Sequence, residues 1–128
     1  MVGIVIVSHS QKLAEGVVEI ARMMAADTPL AAAGGLEDGN TGTSYEKIQN
    51  AIESVYSDDG VAVLMDMGSA VMTTEMVLED MEGRKVKMLD CPLVEGAVLA
   101  AVESAGGISL EDLAERIEES RTTRKLMD

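Results

Sequence analysis

Four short β-rich runs, apolar apart from Lys87 in the last, each followed by a segment with helical spacing, constrain this chain more than any other feature of its sequence. The runs fall at residues 2–7 (Val-Gly-Ile-Val-Ile-Val), 30–33, 61–65 and 86–89, the second being the weakest. An unbroken apolar run lacks the polar alternation of a half-exposed strand, so it predicts a strand covered on both faces. After the first run, Leu13, Val17, Ile20 and Met24 form one helical stripe. Thr43 and Glu46 fit a capping box opening a helix with Tyr45, Ile48, Ile52 and Val55 on its apolar face, and Ser57-Asp58-Asp59-Gly60 closes it. A third helix should run from Ser69 through Val71, Met72, Met76 and Val77. Pro92 suits the first turn of a fourth, carrying Val94, Ala97, Val98, Ala101 and Val102 and ended by Gly106-Gly107. Ser109 and Asp112 then cap a last helix with Leu110, Leu113 and Ile117. Such alternation predicts an α/β protein: a three-layer structure with a mainly parallel sheet and helices on both faces. The length suits a single domain over residues 1–120, with 121–128 as a frayed tail.

Composition narrows the function. Lys and Arg total 10 against 23 Asp and Glu, a formal charge of −13, which repels nucleic-acid phosphate, and no Phe or Trp is present to stack on bases. The acidity fits a heavily solvated surface, or docking onto a basic protein. Without Phe or Trp the core must be aliphatic, with the 10 methionines as packing filler rather than metal ligands. Cys91 is the single cysteine, so no internal disulfide forms, and no Cys/His cluster has metal-ligand spacing. Neither metal nor cofactor is expected, and a reducing cytoplasm is the natural home. No apolar stretch has the length of a membrane span, and the apolar start, lacking a basic leader, reads as a strand and not as a signal peptide.

In a parallel α/β sheet, chemistry sits at the carboxyl ends of the strands. After the first strand come Ser8, His9 and Ser10; after the second, a glycine-rich loop at 34–43 containing Asp38, Gly39, Asn40 and Gly42. Asp66, Gly68 and Ser69 follow the third strand, and Asp90 and Cys91 the fourth. The only histidine of the chain thus stands on the functional rim. A lone histidine there is often just a satisfied polar side chain. Yet a carboxylate such as Asp66 could accept its Nδ1–H, fix the tautomer and leave Nε2 as nucleophile. Gly68 and Ser69 lie where a helix begins, so their amides could hold a phosphoryl oxygen, although helix capping by Asp66 and simple turn geometry at Gly68 account for the same residues. The glycine-rich loop lacks the lysine of a P-loop and does not match the dinucleotide-binding pattern.

Four segments together resemble one family. They are Gly3-Ile4-Val5-Ile6-Val7-Ser8-His9-Ser10 with Leu13-Ala14-Glu15-Gly16; Gly34-Gly35 through Asp38-Gly39 to Gly42-Thr43-Ser44; Asp66-Met67-Gly68-Ser69-Ala70; and Pro92-Leu93-Val94-Glu95-Gly96-Ala97. In this order they resemble DhaM, the phosphotransferase subunit family of phosphoenolpyruvate-dependent dihydroxyacetone kinases, related to the mannose-class enzyme IIA domains of the sugar phosphotransferase system. Gly68-Ser69-Ala70 after Asp66 and the Pro92-Leu93-Val94-Glu95-Gly96-Ala97 segment look more like the dihydroxyacetone branch, while Thr73 stands where that pattern has Asn.

The resemblance implies a sheet ordered 2-1-3-4 and a phosphoryl relay. The phosphocarrier HPr would phosphorylate His9, and phospho-His9 would pass the group to ADP held by the nucleotide-binding kinase subunit, with no cofactor of its own. Asp66 would orient His9, and Gly68 and Ser69 would contact the phosphoryl oxygens. Ser8, Ser10, Asp38, Gly39, Gly42 and Thr43 would shape the rim or dock partners. The family tends to form homodimers, and the Met-rich helix after Ser69 either supplies an interface or belongs to the core. Other readings remain at this stage: a mannose-class enzyme IIA passing phosphate to a IIB domain for sugar uptake; an aspartate-phosphorylated regulatory module using Asp66; or a small-molecule binding module using the glycine loop.

Overall fold

The four apolar runs become the four strands of the computed structural model, which describes residues 1–126. The chain runs β1 (Gly3–Ser8), α1 (Gln11–Met24), β2 (Leu30–Gly34), α2 (Tyr45–Val55), β3 (Val61–Met65), α3 (Ser69–Asp80), β4 (Val86–Leu89), α4 (Leu93–Ala105) and α5 (Leu110–Glu118), with one 3-10 turn at Glu119–Thr122. The strands lie in the order β2-β1-β3-β4 and every pairing is parallel. Ile4 stands opposite Leu30 on one side and Ala62 on the other, and Ala62 in turn opposite Lys87.

Alternation along each strand assigns its side chains to two cores. Ile4, Ile6, Ala62, Leu64 and Leu89 pack with α1, α4 and α5; Val5, Val7, Val61 and Val63 pack with α2 and α3. Every residue of β1 is buried, as expected of a central strand covered twice. Each aliphatic side chain so buried contributes roughly 1.5–3 kcal/mol relative to exposure. The first crossover, through α1, covers one face and the second, through α2, the other, so the strand order reverses between β1 and β3. A crevice opens at such a reversal. Among the described residues no helix is long and apolar enough to cross a membrane.

The helices correct several expectations. In α1 the buried face is Ala14, Val17, Val18 and Ala21, while Leu13, Ile20 and Met24 are exposed. In α4 it is Gly96, Ala97, Ala100, Ala101 and Ser104, with Val94 and Val102 exposed. Both helices turn alanines inward, with Val17 and Val18 in α1 and Gly96 in α4, which lets them pack closely on each other and on the sheet. Only some methionines serve as packing filler: Met81 is buried and Met65 packs partly buried against the core, but Met23, Met24, Met67, Met72 and Met76 are exposed. The α3 methionines 72 and 76 are therefore surface and not core.

Two caps also move. Ser44, not Thr43, caps α2, its side chain accepting the Lys47 amide. Pro92 occupies the cap position just ahead of α4 instead of its first turn. The Ser109 cap holds, accepting the Asp112 amide at 3.2 Å. Of the segment expected to fray, Met127 and Asp128 lie outside the described residues.

Candidate active site

His9 sits in the two-residue link between the last residue of β1 and the start of α1. Ser10 ends that link as the cap of α1, in extended conformation, accepting the Leu13 amide at 3.1 Å. The link is held tightly from the β2 side. A Cβ on Gly34 would lie 2.5 Å from the Ser10 carbonyl oxygen and 2.7 Å from the Gln11 Cα, so only glycine lets β2 come this close to the start of α1.

From the other neighbour, β3, comes Asp66, and its carboxylate organises the site. Oδ2 accepts the Ser8 hydroxyl at 2.9 Å and the His9 backbone amide at 3.0 Å. Oδ1 accepts from His9 Nδ1 at 3.0 Å and from the Met67 amide at 2.7 Å. Buried Ser8 also accepts the Ser10 amide at 3.0 Å, so one hydroxyl ties the carboxylate to the backbone beyond the histidine. Burial pushes the Asp66 carboxyl up, but the His9 and Met67 amides and the Ser8 and His9 side chains outweigh it and hold the group below its ordinary value. An ionised carboxylate only accepts, so Nδ1 carries the proton and, in the neutral ring, Nε2 presents its lone pair. The imidazole is 31% exposed and Asp66 only 14%. The carboxylate thus lies on the Nδ1 side of the ring and is the less exposed of the two groups.

Nε2 points at the start of α3. Ser69 Oγ lies 2.8 Å away. Gly68 makes this turn with φ 55° and ψ −121°, a conformation that side chains other than hydrogen rarely adopt, and it delivers Ser69 as the first helical residue. The first turn closes with the Ala70 amide on the Met67 carbonyl and the Val71 amide on that of Gly68.

The glycine-rich loop divides. Its second half joins the site: the Gly42 amide donates to the His9 carbonyl at 2.9 Å, and the Thr43 hydroxyl donates to Ser69 Oγ at 3.2 Å. Its first half folds on itself, with Asp38 accepting the Asn40 amide at 2.9 Å and the Asn40 side chain at 3.0 Å around Gly39. Asp38 is thus an exposed turn residue with no contact to the histidine, while Gly39 borders a shallow groove with Ser10 and Gln11. Thr73 is the residue that sequence reasoning left out of the site. Its hydroxyl lies 3.2 Å from that of Thr43. Its position four residues after Ser69, on the same helix face, was the available signal. Among the described residues no cluster of His, Cys, Asp and Glu could hold a metal ion.

The family described as PTS system fructose IIA component, EIIA-man, matches residues 3–117, and the chain belongs to it. It is 43% identical over 118 residues to the PEP-dependent dihydroxyacetone kinase, phosphoryl donor subunit DhaM, of Escherichia coli (strain K12), a match covering 87% of this chain but 25% of that protein. This chain thus spans about a quarter of that relative's length. It is 39% identical over 116 residues to the PTS-dependent dihydroxyacetone kinase, phosphotransferase subunit DhaM, of Lactococcus lactis subsp. lactis (strain IL1403), covering 91% of this chain and 93% of that one. A solved structure of phosphotransferase system component EIIA from Streptococcus agalactiae superposes with a TM-score of 0.72 at 18% identity, covering 94% of this chain and 92% of that one, which bears on the fold alone.

Proposed function

We propose that this protein is a phosphoryl carrier that takes a phosphoryl group from phospho-HPr onto His9 Nε2 and delivers it to ADP bound on the nucleotide-binding subunit of a dihydroxyacetone kinase. The observation that carries this reading is the asymmetric grip on the imidazole: in a ring 31% exposed, Nδ1 is fixed 3.0 Å from Asp66, and Nε2 meets the Ser69 hydroxyl at the start of α3. In the forward step the Nε2 lone pair attacks phosphorus in line with the donor's P–N bond, which breaks as the new N–P bond forms. Phosphorylated on Nε2 and protonated on Nδ1, the ring is an imidazolium, and the Asp66 carboxylate stabilises that charge. On delivery, a β-phosphate oxygen of ADP attacks phosphorus and the imidazole leaves with its electron pair.

Gly68 and Ser69 receive the phosphoryl oxygens at the α3 N-terminus, where backbone amides and the helix dipole favour an anion. Ser8, Ser10 and Gly42 act indirectly, through Asp66 and the backbone of His9. The shallow rim suits a carrier that must meet two proteins in turn. Cytoplasmic location and a homodimeric state belong to this reading. A regulatory role with Asp66 as phosphate acceptor fits poorly, since both its oxygens are already engaged by four donors.

The test is intact-mass measurement under alkaline conditions after incubation with phosphoenolpyruvate, enzyme I and HPr, beside His9→Ala. One acid-labile phosphoryl adduct on the wild type and none on the variant supports the carrier; an unmodified wild type with a cognate HPr rejects it. Adding the ADP-loaded kinase subunit or a sugar IIB domain then identifies the acceptor.

A further inference from the structure

The hydroxyls around Nε2 form a chain with a direction. Asp66 fixes the proton on Nδ1, so in the neutral ring Nε2 can only accept, and Ser69 must donate across the 2.8 Å contact. With its proton directed at the ring, Ser69 Oγ accepts the Thr43 hydroxyl at 3.2 Å. Thr43 has then spent its one proton, so in its 3.2 Å contact with Thr73 it is the acceptor and Thr73 the donor. The order is Thr73 to Thr43 to Ser69 to Nε2. Three elements meet here: the loop before α2 supplies Thr43, the first two turns of α3 supply Ser69 and Thr73, and the end of β1 supplies the ring. The Gly42 amide on the His9 carbonyl keeps the loop in place at 2.9 Å.

We infer that Thr43 and Thr73 are phosphoryl-binding residues, and that the Thr73–Thr43–Ser69 chain exchanges one acceptor for another when His9 is phosphorylated. This inference rests on the reading of His9 as the phosphoryl acceptor. In the resting form the chain ends on the Nε2 lone pair. Once Nε2 is bonded to phosphorus the lone pair is gone, and the Ser69 proton has no partner on the ring. The new acceptors are the phosphoryl oxygens at the same place. Rotation about the Ser69 C–O bond would turn its proton onto them, and the Thr43 and Thr73 hydroxyls, linked to Ser69 through successive 3.2 Å contacts, would re-aim with it. Because hydroxyls carry no charge, they stabilise the phosphoryl group without fixing it as a lysine or arginine would, which suits a group that must leave again.

The test uses potassium phosphoramidate, a small chemical donor that needs no docking surface, on the wild type and on Thr43→Val, Thr73→Val and Thr73→Ser. Valine keeps the branched shape and removes the hydroxyl; serine restores it. Circular dichroism melts of the unphosphorylated proteins identify any variant that fails to fold, and Thr73→Ser against Thr73→Val supplies the comparison in that event. The phosphoryl adduct is followed by its ³¹P resonance and its rate of hydrolysis. The expected result is that each valine variant is phosphorylated, shifts the ³¹P line and loses the adduct about tenfold faster, the size of one charge-assisted hydrogen bond, while Thr73→Ser matches the wild type. Valine variants with wild-type ³¹P shift and lifetime would overturn the inference and leave the carrier reading intact. A wild type that takes up no phosphoryl group, even from this donor, would overturn both.

Discussion

One carboxylate holds His9 twice: Asp66 Oδ1 binds the ring at Nδ1 and Oδ2 binds the backbone amide of the same residue, both at 3.0 Å. Ring orientation and main-chain position are therefore set by a single side chain just past the end of the neighbouring strand. Asp66→Asn keeps the shape but places an NH₂ where an acceptor is needed, and the tautomer with Nδ1 protonated loses its support. Phosphorylation of His9 by HPr should fall by roughly 10²–10⁴-fold. Rapid-quench kinetics should show the loss in the transfer step, and the variant's melting temperature should separate it from unfolding.

Acid should expose the same carboxylate. Asp66 has its pKa held below the ordinary value in the folded chain, so the folded form binds that proton less readily than the unfolded one. Its contribution to stability is fully present above the unfolded value of about 4 and is lost as pH falls through the lower native value. Urea melts of the wild type and of Asp66→Asn should therefore differ most near neutrality and converge below about pH 4. A gap that persists unchanged at low pH would contradict this assignment.

Gly34 has no room for a methyl group. Its Cβ would fall 2.5 Å from the Ser10 carbonyl oxygen and 2.8 Å from Ala14 Cβ. Gly34→Ala should push the start of α1 away from β2, costing roughly 1–3 kcal/mol as overpacking does and disturbing the link that carries His9. Chemical denaturation measures the first effect. Displaced ¹⁵N–¹H resonances for His9 and Ser10 would report the second.

Cys91 should be inert despite being the only thiol. Burial, with Asp90 and Glu118 adding to it, pushes its pKa up to about 12, so almost no thiolate exists at neutral pH. Iodoacetamide at pH 8 should leave the folded protein unmodified and alkylate it in denaturant. The same sulfur limits α4: a Cβ on Gly96 would lie 2.4 Å from Cys91 Sγ. Gly96→Ala should destabilise the fold, and Cys91→Ala in the same chain should recover part of the loss in a double-mutant cycle.

The strands were readable because burial on both faces erases alternation, and runs such as 61–65 have no polar residue to confuse the pattern. Which face of a helix turns inward was harder. Side-chain size suggested that Leu13, Ile20 and Met24 face the core, whereas the close contact of α1 with α4 selects Ala14, Ala21, Ala97, Ala100 and Ala101. Local spacing also fits a cap at either Thr43 or Ser44. Ser44 takes the role, its hydroxyl bonded to Glu37, and the Thr43 side chain is left for the site. His9 and Asp66 could be paired from sequence because strand ends converge by rule. The hydroxyls of Thr43 and Thr73 meet across 30 residues, a proximity that no local pattern encodes.

The partial exposure of the His9 ring has a further consequence for the proposed relay. On that reading, a phosphoryl group at a partly exposed ring would be fully shielded only while a partner sat over it. Between the two encounters the loaded protein would meet water, and every moment of waiting would be a chance to lose the cargo. Efficiency of the proposed relay would then be decided by a race between arrival of the acceptor and leakage to solvent. Abundance of partners, and not only the chemistry at His9, would set how much of the incoming phosphate is delivered.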